Sequence, residues 1–148
     1  VETSRKLSPL ARLIHALREE GIRFQIVGMS AAILQGVPAT TIDTDIWVEL
    51  PDRQFVRLTS IICRQGGSML APTVGALSDD TLVNFLPRVD GLGNFSQELA
   101  EAKLLQWQGT KVPVLPLERI AASKRHIGRP KDLAHLPLIE QTIRLLRE

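Results

Sequence analysis

The chain has 148 residues, 44% of them hydrophobic, and 18 Lys and Arg against 16 Asp and Glu leave a formal charge of +2. This composition supports a buried core and excludes general disorder, and so mild a charge does not argue for duplex nucleic acid. A single cysteine, Cys63, excludes an internal disulfide, and with three histidines it does not supply a structural zinc set.

Leu7 to Glu19 reads as an amphipathic helix with Leu10, Leu13, Ile14 and Leu17 as its stripe, Ser8-Pro9 as its cap and Gly21 as its stop. Phe24 to Val27 reads as a strand ending at Gly28, and Ser30 to Gln35 as a short helix closed by Gly36 and Val37-Pro38. Thr44 to Leu50 is predicted as a strand, with Pro51-Asp52 turning into a helix over Arg53 to Gln65. Within that helix Cys63 is expected to be a buried, inert thiol. Leu82 to Leu86 reads as a strand, Pro87 to Asn94 as a loop and Glu98 to Ala102 as a short helix. Lys103 to Gln108 and Lys111 to Leu115 flank Gly109-Thr110, a hairpin signal. Two helices follow, Pro116 to Ile127, stopped by Gly128, and Pro130 to Arg147, whose first half contains Pro137.

This order predicts one α/β (α+β) domain over residues 1–148, a mixed sheet with helices at both ends. No apolar run reaches membrane-spanning length and no signal peptide is evident, so a cytoplasmic setting is expected. The chain begins with Val rather than Met, which points to a trimmed or incomplete start.

Asp43 and Asp45 carry the strongest chemical signal. Carboxylates one residue apart on a strand share a face and can reach one hard cation such as magnesium. Upstream, Gly28 permits a tight approach of backbone N–H groups to phosphate, and Ser30 adds a hydroxyl at a helix start. A bare Asp-X-Asp also fits a solvated strand end, and Gly before a helix is common. The order of the two segments points to phosphoryl transfer. Lys124-Arg125-His126-Ile127-Gly128-Arg129-Pro130-Lys131 is locally cationic, fitting either phosphate contact or a solvated helix end. Trp47 shares the Asp45 face and fits a pocket wall or the core. Glu49, two residues further on, fits an extension of the acidic row.

Phe24 to Gly36 followed by Thr41-Ile42-Asp43-Thr44-Asp45-Ile46 resembles the nucleotidyltransferase signature. The stretch Ala122 to Leu133 is similar to the AbiEii-like, toxin-type minimal members of that superfamily. The resemblance implies a polymerase-beta-like core, a nucleoside triphosphate, two magnesium ions and attack of a hydroxyl on the α-phosphorus. It implies Gly28 and Ser30 on the triphosphate, Asp43 and Asp45 on both metals and in catalysis, and Lys124, Lys131 and Asp132 as further nucleotide-binding residues. The acceptor it implies is RNA or protein, with an antitoxin-like partner or a second copy of the chain and no membrane.

Three positions depart from that pattern. The third carboxylate of the family falls at Asn84, which is neutral and can ligate only through its amide oxygen. Asp79, Asp80 or Asp90 could substitute from a loop, although none has the strand placement. Ala39 stands where an Arg is usual, and His135 where another Asp is usual. Loss of a general base costs on the order of 10²–10⁴ in rate. The sequence therefore fits a transferase, a nucleotide-sensing or partner-binding module without turnover, or a structural interaction domain.

Overall fold

The structure, a computed structural model, describes residues 7–148. Helix α1 spans Pro9–Glu19, with the Ser8 hydroxyl accepting from the Ala11 N–H at 3.1 Å and Pro9 in its first turn. Strand β1 (Phe24–Val27) is buried at every position and runs directly into helix α2 (Gly28–Leu34). Strand β2 is Asp43–Val48, so both aspartates lie inside the strand while Glu49 and Leu50 lie beyond it. A single 3₁₀ turn, Asp52–Gln54, precedes helix α3 (Val56–Arg64). The expected start at Arg53 falls in that turn, a frequent way for a helix without a side-chain cap to begin.

Strands β3 (Ser68–Ala71) and β4 (Val74–Ala76) form a hairpin that the sequence reading left open, and β5 is Leu82–Leu86. Helix α4 is Phe95–Ala100, upstream of the expected span, because Asn94 and Gln97 form a reciprocal capping box at its start. Strands β6 (Lys103–Trp107) and β7 (Thr110–Val114) make the expected hairpin, its turn residues Gln108 and Gly109 both at positive φ. Helices α5 (Leu117–Ile127) and α6 (Pro130–Leu146) complete the described chain. Pro137 is accommodated within α6: the carbonyl it leaves unpaired belongs to Leu133, which is exposed to water.

Among the described residues, the seven strands form one mixed sheet in the order β3-β4-β5-β2-β1-β7-β6. Parallel pairs join β2 to β5 and β1 to β7, and the remaining neighbours are antiparallel. One helix group sets α3 against α1 and the β3–β4 hairpin; another sets α5 against α2 and α6. Leu58, Ile61 and Ile62 of α3 face the core beside Leu13, Ile14 and Leu17 of α1. Cys63 follows that stripe by one residue and is exposed, which corrects the expectation of a buried thiol. Among the described residues no helix is long and apolar enough to cross a membrane.

Trp47 belongs to the core. Its ring meets Phe95 edge-on at 5.4 Å between centroids, and its indole N–H donates to the Pro87 carbonyl at 3.2 Å. That bond ties the loop after β5 to the sheet. Trp47→Ala is expected to lower unfolding free energy by about 3–5 kcal/mol, read as a shifted midpoint in urea denaturation.

Candidate functional site

The site is built where β1 ends beside β2. Their last register pair is Val27 with Asp45, and past it the chain turns at Gly28 with φ +63°. The buried Ser30 hydroxyl donates to the Val27 carbonyl at 2.8 Å and accepts the Asp45 N–H at 3.0 Å. Ser30 therefore spends its hydroxyl on main-chain groups and is not among the residues lining the cavity. Gly28 is irreplaceable for two reasons: its left-handed φ, and a Cβ there would collide with the Asp45 carboxylate.

Asp43 and Asp45 open into a cavity of about 420 Å³ whose floor also carries Gly28 and Asn84. Parallel pairing of β2 with β5 places Asn84 directly beside Asp45. Asp45 is pushed up to about 6, chiefly by burial; the Asn84 side chain, hydrogen-bonded to it, opposes the rise, the Asp43 charge adds to it, and Lys124 and Lys131 reduce it. Asp43, Asp45 and the Asn84 amide offer oxygen donors of the kind a hard divalent cation takes. Among the described residues no group of three or more His, Cys, Asp or Glu side chains is placed to hold a metal.

The opposite wall is cationic and comes from the α5–α6 corner. Gly128, at φ +66°, ends α5, and its N–H reaches the Lys124 carbonyl at 2.9 Å. The chain then re-enters a helix at Pro130, placing Arg129, Lys131 and Asp132 on the cavity with Lys124. Asp132 is 1% exposed. It accepts from Arg129 Nε at 2.7 Å and from Lys124 Nζ at 3.3 Å. Burial alone would raise Asp132, but the hydrogen bonds from Arg129 and Lys124 outweigh it and hold the carboxyl below its ordinary value. His135 Nδ1 lies 3.3 Å from the same Lys124 Nζ. Burial first, and then the charge of Lys124, depress the His135 imidazole.

Of the residues singled out in the sequence, Gly28, Asp43, Asp45, Lys124, Lys131 and Asp132 meet on this one cavity, and Ser30 stands behind it. Asp132 faces its own cations rather than open space. Arg88, Asp90 and Arg129 also line the cavity; the Arg129–Asp132 spacing at a helix start was the available signal for Arg129. Glu49 is elsewhere, paired with Arg23. Asp79 accepts the Thr81 N–H in its own turn, and neither it nor Asp80 reaches the cavity. Ala39 packs on the core.

No protein-family model matches the sequence, and no curated protein matches it. Solved structures do resemble it. The antibiotic-resistance factor ANT(2'')-Ia aligns at 16% identity over 99% of this chain and 91% of its own, with a TM-score of 0.60. That protein has been seen in complex with adenylyl-2''-tobramycin. The lincosamide antibiotic adenylyltransferase LnuA, bound to lincomycin, aligns at 11% identity over 90% of this chain and 96% of its own, TM-score 0.59. An antigenic nucleotidyltransferase-like protein from Paracoccidioides brasiliensis aligns at 19% over 93% and 75%, TM-score 0.60. The mixed sheet with its flanking and C-terminal helices is thus the nucleotidyltransferase fold, as the sequence reading expected.

The position of Asp45 fixes a pH dependence in the metal-free protein. Its folded value, about 6, exceeds the ordinary carboxylate value of 3.8. The stability it contributes is complete below about pH 4 and is lost as pH rises through 6, on the order of 3 kcal/mol in all. Asp45→Asn should match the parent near pH 4 and exceed it at pH 7, measured as the difference between the two proteins' thermal midpoints across pH.

Proposed function

We propose that this chain is a metal-dependent nucleotidyltransferase that moves a nucleoside monophosphate from a nucleoside triphosphate to a hydroxyl on RNA or protein. The observation that carries this reading is the two-sided cavity. Asp43 and Asp45 stand on one wall, and Lys124, Arg129 and Lys131 stand on the other. A triphosphate chelating a divalent cation has the complementary arrangement, cation at one end of its charge and anionic oxygens at the other.

On this reading Asp43, Asp45 and the Asn84 amide oxygen hold magnesium, and Lys124, Arg129 and Lys131 contact the phosphates. Gly28 keeps the turn close enough for its backbone to face them. Magnesium bound there supplies charge neutralisation and alignment for in-line displacement at the α-phosphorus. Asp132 holds Lys124 and Arg129 in place. The Lys124-to-Asp132 segment supports an AbiEii-like, toxin-type assignment, with an antitoxin-like partner or self-association as its regulatory setting. A small hydroxylated molecule is a second acceptor class, favoured by the likeness of fold to two antibiotic-modifying proteins.

A second reading is favoured by Asn84: a module that binds nucleotide and metal without turnover, because an amide cannot take the acceptor's proton. Calorimetry with each triphosphate and magnesium tests what the readings share. The parent should give a saturable heat, and Asp43→Ala with Asp45→Ala should abolish it. Equal heats from the two proteins would sink the site assignment.

A further inference from the structure

We infer that Asp90 is the group that takes the acceptor's proton, a catalytic carboxylate supplied from the loop after β5 in place of the strand position held by Asn84. The inference rests on the transferase reading above and deepens it. Five other side chains on the cavity are excluded by their chemistry and contacts. Asp43 and Asp45 are the cation-facing pair, and Asn84 is a neutral amide. Asp132 is buried and shared between Lys124 and Arg129. His135 turns Nδ1 toward the Lys124 ammonium, which can only donate. Nδ1 must therefore accept, so the ring proton is on Nε2 and the imidazole has no free acceptor. Asp90 alone remains, lining the cavity with a carboxylate that carries no hydrogen bond or ion pair among the described residues.

The loop that presents it is held at four points, which is unusual for an exposed connection. The Pro87 carbonyl takes the Trp47 indole N–H at 3.2 Å. Ser123 of α5 donates its hydroxyl to the Asp90 carbonyl at 2.7 Å. Gly91, at φ +83°, lies so close to His126 that a Cβ would sit 2.6 Å from the His126 Cβ. The Gly93 N–H bonds the buried Glu98 carboxylate at 2.9 Å, and Glu98 is in turn clamped by Arg119 at 2.8 and 2.9 Å. The main chain of residue 90 is thus fixed where that residue lines the cavity. Arg129, on the opposite wall, is within electrostatic reach of both Asp45 and Asp90, so both carboxylates act on the same cation. In the step, the acceptor oxygen bonds to the α-phosphorus, the bond to the pyrophosphate oxygen breaks, and the hydroxyl proton passes to Asp90.

The test separates binding from turnover in the parent, Asp90→Asn and Asp90→Glu. Binding is read by calorimetry with a non-hydrolysable triphosphate and magnesium. Turnover is read as pyrophosphate release and label transfer, with total tRNA, total protein, an aminoglycoside or water as acceptor. Asp90→Asn should bind within about twofold of the parent and lose on the order of 10²–10⁴ in kcat, and Asp90→Glu should recover part of that loss. An Asp90→Asn protein that keeps its kcat, or that loses binding and turnover together, overturns the assignment. So does a parent that binds the triphosphate but releases no pyrophosphate with any acceptor, which leaves nucleotide binding standing without a base. A parent that binds no triphosphate overturns the transferase reading itself, and the base with it.

Discussion

The Ser30 hydroxyl is the constraint on which the site depends. At the point where β1 leaves β2, two main-chain groups need partners, and one hydroxyl serves both, donating to Val27 and accepting from Asp45. Leaving either group buried and unpaired would cost about 1–3 kcal/mol. Because the bond is short on both sides, the start of α2 is drawn against β2. That closeness leaves no room for a side chain at position 28 and holds the Asp45 carboxylate against the turn. The Ser30 hydroxyl is thus the fastener that sets where the cavity-facing groups stand.

Charge decides the rest of the arrangement. The acidic wall is unfavourable on its own: burial and the Asp43 charge raise Asp45 to about 6, while Lys124 and Lys131 across the cavity pull it down. The basic wall is held by a buried counter-charge. Asp132 is bonded to both Arg129 and Lys124, so removal of that one carboxylate would leave two cations crowded without compensation. Each wall is partly stabilised by the other, and a ligand carrying a cation beside phosphates satisfies both at once.

Much of this was legible in the sequence because it is local. Gly28, the Asp-X-Asp spacing of Asp43 and Asp45, and the Gly128 stop before Pro130 all follow from rules that act within a few residues. What was not legible is tertiary. Ser30 is polar and near a turn, and only the β1–β2 register shows that its hydroxyl is spent. Cys63 sits one step past an apolar stripe, and a continuous Ile61-Ile62-Cys63 run hides the change of face. The β3–β4 hairpin is short and half exposed, so its periodicity is weak; its close packing shows only at Gly67 and Gly75, where a Cβ would meet Ile62. Asp79, Asp80 and Asp90 looked equivalent as loop carboxylates, and only tertiary structure distinguishes Asp90, which lines the cavity on a loop clamped by α4 and α5.

Asn84 has a physical logic beyond the loss of a base. Parallel register sets residue 84 beside Asp45, so a carboxylate there would be a third like charge in a partly buried site. Two unit charges about 4 Å apart at an effective dielectric near 20 repel by about 4 kcal/mol. The amide reverses the sign of that contact, because its hydrogen bond to Asp45 lowers the carboxyl's value instead of raising it. It still leaves an oxygen able to face a cation. The acidic pair is therefore easier to hold together than three carboxylates would be. On the proposed transferase reading, a chain with Asn84 here takes its proton acceptor from outside the Asp43–Asp45 pair. A loop tied to α4, α5 and Trp47 supplies one without adding its charge to the strand.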